Sequence, residues 1–176
     1  YFDLNFSKTR LDFWRNELAN IRGSIKLPYD FFPKTPVSTH ARSVEFIFTK
    51  RETEKIKLFC KKNGITLFSM FMLAVGQVMQ AILPEENLLF GVVVSNRHII
   101  KEPSVIGPVS NLVPLVWNKE LYSSVNSHIF LHEKILSLLA NSDIYIYDLV
   151  TQLNFLENKT MKPQICCNYH HTNPMN

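Results

Sequence analysis

His128 and His132 stand four residues apart in a stretch of helical spacing, so two imidazoles could share one face and one metal ion, with Glu133 beside them. The order is not His-Glu-x-x-His, and the sequence places no third ligand. The expectation is two solvent-facing histidines and no metal. Cys166-Cys167 followed by His170-His171 offers a second chemistry, a thiol nucleophile beside a base or a soft-metal site. Neighbouring side chains on a strand point to opposite faces, so neither pair converges on one centre without a bend, and core cysteines are expected. Arg97 follows an apolar run directly, where its guanidinium would lie near a sheet's end and, if buried, would need an anionic partner. An exposed arginine after a strand is the alternative.

The elements that must carry these residues are read from spacing. Leu11, Trp14, Leu18 and Ile21 recur at helical intervals between Ser7, an N-cap residue type, and Gly23, predicting an amphipathic helix over 8–22. Pro28, Pro33 and Pro36 then fall in a stretch without periodicity, a surface connection. Val44, Phe46 and Phe48 face away from Ser43, Glu45 and Thr49, the alternation of a half-buried strand over 42–49. Thr49 stands three residues before Glu52, a capping-box spacing, and opens a helix with Ile56 and Phe59 inward that ends at Gly64. From Thr66 to Met79 almost no charge occurs, so the next helix is expected to be packed on nearly all sides.

Residues 87–95 form a continuous β-rich run, a strand covered on both faces, whose end delivers Asn96-Arg97-His98. A loop bearing Pro103, Gly107 and Pro108 leads to a second apolar run from Leu112 to Trp117. Leu121 to Leu139 repeats a helical spacing, a short helix is predicted from about 147 to 153, and a final strand runs through Ile165, Cys166, Cys167 and Tyr169. Strands alternating with helices define an α/β class, a largely parallel or mixed sheet covered by helices. The five glycines never cluster, so neither a phosphate loop nor a dinucleotide fingerprint is present.

Composition bounds the rest. A chain of 176 residues that is 46% hydrophobic and 12% aromatic can bury a core, which excludes disordered, collagen-like and mucin-like classes. The length fits one domain or one large lobe. Nineteen basic against 15 acidic side chains leave +4, and the largest basic knot is Lys61-Lys62, which argues against a nucleic-acid partner. The longest apolar stretch, Ile65 to Leu83, is interrupted by Thr66, Ser69, Gln77 and Gln80, so it reads as a core helix and not as a membrane span. Three cysteines, two of them adjacent, give no disulfide framework and suit a reducing, cytoplasmic setting, and the N-terminus shows no secretion signal.

The order of these pieces resembles the C-terminal lobe of a nonribosomal peptide synthetase condensation domain. Phe13-Trp14-Arg15-Asn16-Glu17-Leu18 is similar to the family's Tyr-Trp-x-x-x-Leu helix, and Leu27-Pro28-Tyr29-Asp30 to the Leu-Pro-x-Asp after it. Gly64-Ile65-Thr66-Leu67-Phe68 resembles the start of its long buried helix, and Asn87 through Gly91 to Arg97 resembles its Asp-Ile-x-x-Gly-x-x-x-x-x-Arg strand. Ile106 to Leu115 resembles Ile-Gly-x-Phe-Val-Asn-Thr-Leu-Pro-Leu, the most telling segment. There are departures. The family's His/Asn-Gln-Asp-x-Pro-Phe-Glu is Asn141-Ser142-Asp143-Ile144-Tyr145-Ile146-Tyr147 here, Arg-Asp-x-Ser-Arg-Asn-Pro-Leu survives only as Pro163, and Leu112 replaces the threonine. His170-His171 begins like the family's His-His-x-x-x-Asp-Gly, but Met175 and Asn176 occupy the Asp and Gly positions, so no base is positioned there.

The resemblance implies a chloramphenicol-acetyltransferase-like lobe and an amide-forming reaction between a carrier-bound acyl donor and a carrier-bound amine. It implies that residues 1–176 are a single incomplete C-terminal lobe, inactive alone, whose partner N-terminal lobe holds the catalytic histidine. Arg97 would pair with the motif aspartate across the lobe interface, and Asn168 would face the acceptor tunnel. Asn111 and Gly107 would shape the loop beside it. No catalytic residue, metal or directly bound cofactor is expected in this chain. The phosphopantetheine arms belong to partner peptidyl or acyl carrier proteins, and no membrane is involved. A non-catalytic module that docks carrier proteins is the rival reading.

Overall fold

The computed structural model describes residues 8–21, 25–31, 40–97, 104, 106–107, 109–145, 148–149 and 163–170. Helix α1 covers Lys8–Leu18 and buries Trp14 and Leu18; the predicted caps Ser7 and Gly23 lie outside the described residues. Helix α2, Lys50–Asn63, opens on the predicted capping box. The Thr49 hydroxyl accepts from Glu52 N–H at 3.3 Å, and the Glu52 carboxylate accepts from Thr49 N–H at 2.8 Å. Gly64 ends the helix at φ 66°, a left-handed conformation that glycine adopts without a Cβ penalty. Its inward side is Cys60 with half-buried Ile56, whereas Phe59 turns outward against His128, contrary to expectation.

Helix α3, Leu67–Ile82, is capped by Thr66, whose hydroxyl accepts from Ser69 N–H at 3.1 Å. It buries Ser69, Met72, Leu73 and Gly76 but leaves Phe71, Val78 and Ile82 exposed. Apolar composition all round therefore did not mean burial all round. Among the described residues no single helix is long and apolar enough to cross a membrane.

Strands β1, Asn87–Ser95, and β2, Ser110–Asn118, pair antiparallel from Asn87 opposite Asn118 to Ser95 opposite Ser110. Strand β3, Ile165–Cys167, lies parallel to β1 on its other side, giving the mixed order β2-β1-β3. The register sorts side chains by face, because directly opposite residues point the same way. Leu88, Phe90, Val92 and Val94 share the inner face with Val113, Leu115 and Trp117, and all are buried against a core that includes Trp14, Leu18, Leu131 and Ile135.

Two further expectations are corrected. The helical spacing from Leu121 to Leu139 is broken, giving α4, Lys119–Tyr122, and α5, Ser127–Ala140, with Val125 exposed in the turn between them. Residues 42–49 form no strand and join no sheet among the described residues. Val44 is 99% exposed, and Phe46 and Phe48 are exposed with their rings 5.1 Å apart. An alternating pattern produces a half-buried strand only when a neighbour supplies both a hydrogen-bond ladder and a core. The short helix predicted over 147–153 lies mostly outside the described residues, with Asp148 and Leu149 helical.

Candidate functional site

The topology gathers the sequence candidates at one end of the sheet. β1 and β3 run parallel and β2 antiparallel, so Arg97 after β1, Asn111 at the start of β2 and Asn168 after β3 all lie at that end. Asn111 is opposite Val94, and Asn96 is two residues beyond Val94, so both asparagines belong to the buried inner face, 3% and 2% exposed. Arg97, which opens a 3-10 turn after β1, and Asn168, just past the end of β3, are both exposed.

At this end of the sheet Arg97 Nη2 donates to the Gly107 carbonyl at 3.2 Å, which joins two candidates that the sequence only named separately. Gly107 has φ 153°, a region essentially reserved for glycine. That backbone bend lets residue 107 present its oxygen to a side chain ten positions earlier. Asn168 Nδ2 lies 2.8 Å from His170 Nε2. Cys167 is level with Val92, so Asn168 stands about 13 Å short of Arg97 along the sheet, at ~3.3 Å per residue. The two share an end of the sheet and are not partners.

Beneath them lies a buried neutral network that sequence reasoning missed. Asn96 Nδ2 donates to the Ser142 carbonyl at 2.7 Å, and the Ser142 hydroxyl lies 2.9 Å from Asn96 Oδ1. Asn111 Nδ2 donates to Ser142 O at 2.8 Å and to Ile144 O at 2.7 Å, while its Oδ1 accepts from Leu112 N–H at 2.9 Å. Both hydrogens of the Asn111 amide and both lone pairs of the Ser142 carbonyl are thus used. From the other side, Trp14 Nε1 donates to Asn141 O at 3.1 Å and Arg10 forms an ion pair with Asp143. The segment 141–144 is therefore held by side chains from α1, from β2 and from Asn96, the residue after β1. No local signal in the sequence marks contacts that span 31 to 127 residues.

The other candidates become structural. His132 Nδ1 lies 2.9 Å from the Ser69 hydroxyl, which lies 2.8 Å from Thr66 Oγ1. Ser69 is buried, so the pair ties α5 to α3 and does not present a nucleophile. His128 packs on Phe59 and reaches Asn63 Oδ1 at 3.3 Å. Both histidines are half-buried packing residues and not solvent-facing ones. Cys166 is exposed and Cys167 buried, on opposite faces as the pleat requires, so Cys166 is not the core residue expected. Burial, then the adjacent Cys166, pushes the Cys167 thiol up and away from the thiolate form. His171 lies outside the described residues.

The mixed sheet with helices packed on its inner face is consistent with the chloramphenicol-acetyltransferase-like fold. The chain matches the Condensation domain family over residues 5–172 and belongs to it. It is 31% identical over 110 residues to the nonribosomal peptide synthetase Ao415 of Arthrobotrys oligospora, covering 60% of this chain and 3% of that protein. It is 28% identical over 102 residues to the nonribosomal peptide synthetase NPS2 of Ceriporiopsis subvermispora, covering 58% and 4%. The chain thus spans a small fraction of these relatives.

Solved structures share the fold at low identity. A four-domain nonribosomal peptide synthetase, holo-AB3403 bound to AMP and glycine, superposes with TM-score 0.81 at 19% identity, covering 96% of this chain and 13% of that one. The X-domain in complex with OxyB from teicoplanin biosynthesis gives 0.71 at 17% identity, covering 83% and 32%. The condensation domain of the monacolin K polyketide synthase MokA gives 0.63 at 14% identity, covering 86% and 37%.

Proposed function

We propose that this chain is the C-terminal lobe of a nonribosomal peptide synthetase condensation domain and acts with an N-terminal lobe to join a carrier-bound acyl thioester to a carrier-bound amine. The observation that carries the reading is the placement of Arg97, bonded to Gly107 O, and of Asn168 at one end of the sheet, in a chain of the Condensation family. In that reaction the amine nitrogen attacks the thioester carbonyl, a C–N bond forms and the C–S bond breaks. The thiol of the donor's phosphopantetheine arm leaves with the proton that the amine gives up. The base is the second histidine of a His-His-x-x-x-Asp-Gly motif on the N-terminal lobe.

This chain contributes position. Arg97 forms a bidentate pair with the motif aspartate across the lobe interface, and so fixes the loop that carries the histidine. Its bond to Gly107 O steers the guanidinium toward that seam. Asn168, at the same end of the sheet, meets the acceptor end of the tunnel. In the two-lobe parent with both carriers loaded, Arg97→Ala is expected to slow amide formation by about 100-fold, as misplacement of a reacting group does. Thioester loading of the carriers stays unchanged. Amide formation at the wild-type rate removes Arg97 from the site.

A second reading rests on the fold shared with an X-domain that forms a complex with another protein, OxyB. Here the lobe docks carrier proteins without catalysis, and the altered segment at 141–147 fits that loss. The coding sequence upstream of Tyr1 separates the two. An intact His-His-x-x-x-Asp-Gly supports the enzyme, and a degenerate motif supports the docking module.

A further inference from the structure

We infer that Asn96 is a positioning residue that fixes the direction of Arg97, with Ser142 as its buried partner. The inference rests on the amide-forming reading and names a further residue of the same site. Asn96 is held at three points: its N–H donates to Val109 O at 3.1 Å, its Nδ2 to Ser142 O, and its Oδ1 faces the Ser142 hydroxyl. A side chain gripped at both ends of its amide has one rotamer available, and the backbone bond extends the β1–β2 ladder one residue past Ser95. The Cα of Arg97 and the direction of its Cβ follow from that residue. With Asn96 turned inward and bonded, the chain leaves the sheet at Arg97 in a 3-10 turn, with the guanidinium within reach of Gly107 O.

Ser142 is itself immobile. It is 1% exposed, its carbonyl takes a second bond from Asn111, and its hydroxyl also lies 2.8 Å from Leu139 O at the end of α5. Asn141 is tied to Trp14 and Asp143 to Arg10. The anchor of Asn96 is thus fixed to two helices and a strand. Packing alone does not require an amide here, since an apolar side chain fills the same volume without a matched donor and acceptor. Asn96, Asn111 and Ser142 are themselves neutral, so their mutual bonds carry no cost of burying a charge.

The test uses the full parent synthetase with loaded carriers and the variants Asn96→Asp, Arg97→Ala and their combination. Asn96→Asp keeps the shape but replaces the amide donor with an acceptor facing the Ser142 carbonyl. It is expected to lower kcat by roughly 10- to 100-fold with KM for the acceptor carrier within about twofold. In the combined variant the rate is expected to equal that of Arg97→Ala alone, because both changes remove one contribution. Losses that multiply, or a wild-type rate for Asn96→Asp, overturn the inference. Ser142→Ala, a smaller change, is expected to lower kcat a few-fold and to be silent in the Arg97→Ala background.

A second readout does not depend on activity. Labelling of Arg97 by phenylglyoxal, followed by peptide mass spectrometry, is expected to change several-fold in Asn96→Asp, and an unchanged rate overturns the inference. If the wild-type parent forms no amide, the functional reading fails and the labelling rate alone decides the role of Asn96.

Discussion

Gly76 sits where α3 crosses β2, and a single methyl group there is expected to be costly. A Cβ on residue 76 would lie 2.1 Å from Cε3, 2.2 Å from Cζ3 and 2.5 Å from Cδ2 of Trp117. Carbon atoms pack at about 3.5–4.0 Å, so the helix or the indole must move by about 1.5 Å. Trp117 cannot yield easily. It is 1% exposed, its ring centroid is 4.2 Å from that of Tyr122, and its backbone is paired opposite Leu88. Overpacking costs about 1–3 kcal/mol, and a clash with a rigid ring belongs at the upper end. The better helix propensity of alanine offsets about 1 kcal/mol of this.

The expected balance for Gly76→Ala is a loss of about 2 kcal/mol, or roughly 4–8 °C in thermal midpoint for a domain of this size. Urea unfolding followed by tryptophan fluorescence measures it. In a Trp117→Leu background the same change is expected to cost less than half as much, because the obstructing ring atoms are gone. A Gly76→Ala protein as stable as wild type refutes the reasoning, since propensity would then have outweighed contact.

Two further outcomes are expected. Hydrogen bonds from the Thr49 side chain, then from its backbone, hold the Glu52 carboxyl below its ordinary value of 4.5. A lowered folded-state value means that the stabilisation is complete above pH 4.5 and is lost as pH falls through that lower value, so Glu52→Gln should flatten the acid limb of a melting-temperature profile. Asn111→Ala strands the Ile144 carbonyl while leaving Ser142 O its bond from Asn96, at an expected cost of about 1–3 kcal/mol, read by urea unfolding together with faster amide exchange over 141–145.

What could be read in the sequence was local. Thr49, Glu52 and Gly64 mark the ends of α2 because capping groups lie within a turn of the backbone they serve. The apolar runs at 87–95 and 112–117 announce strands because both faces are covered. The break between α4 and α5 was missed because apolar spacing continues through Val125, although that side chain is exposed. The 42–49 alternation makes no strand and is exposed throughout, since pairing is a property of two segments. Arg97, Gly107 and Asn111 stand in recognisable motifs, whereas Asn168 is marked only by its place on the last strand. That Arg97 meets Gly107, and that Asn111 works from below with Asn96 and Ser142, required the β1–β2 register. An asparagine next to an arginine carries no sign of a serine 46 residues away.

The grip on residues 141–145 falls largely on main-chain oxygens, which every amino acid owns. Asn141, Ser142 and Ile144 offer theirs to Trp14, Asn96 and Asn111, and Tyr145 offers its own to the N–H of Leu149. Such bonds read the main chain and not the side chain, so the contour can persist where the letters change. A search that scores letters alone will undervalue such segments, whereas one that weighs the distant amide donors will find them.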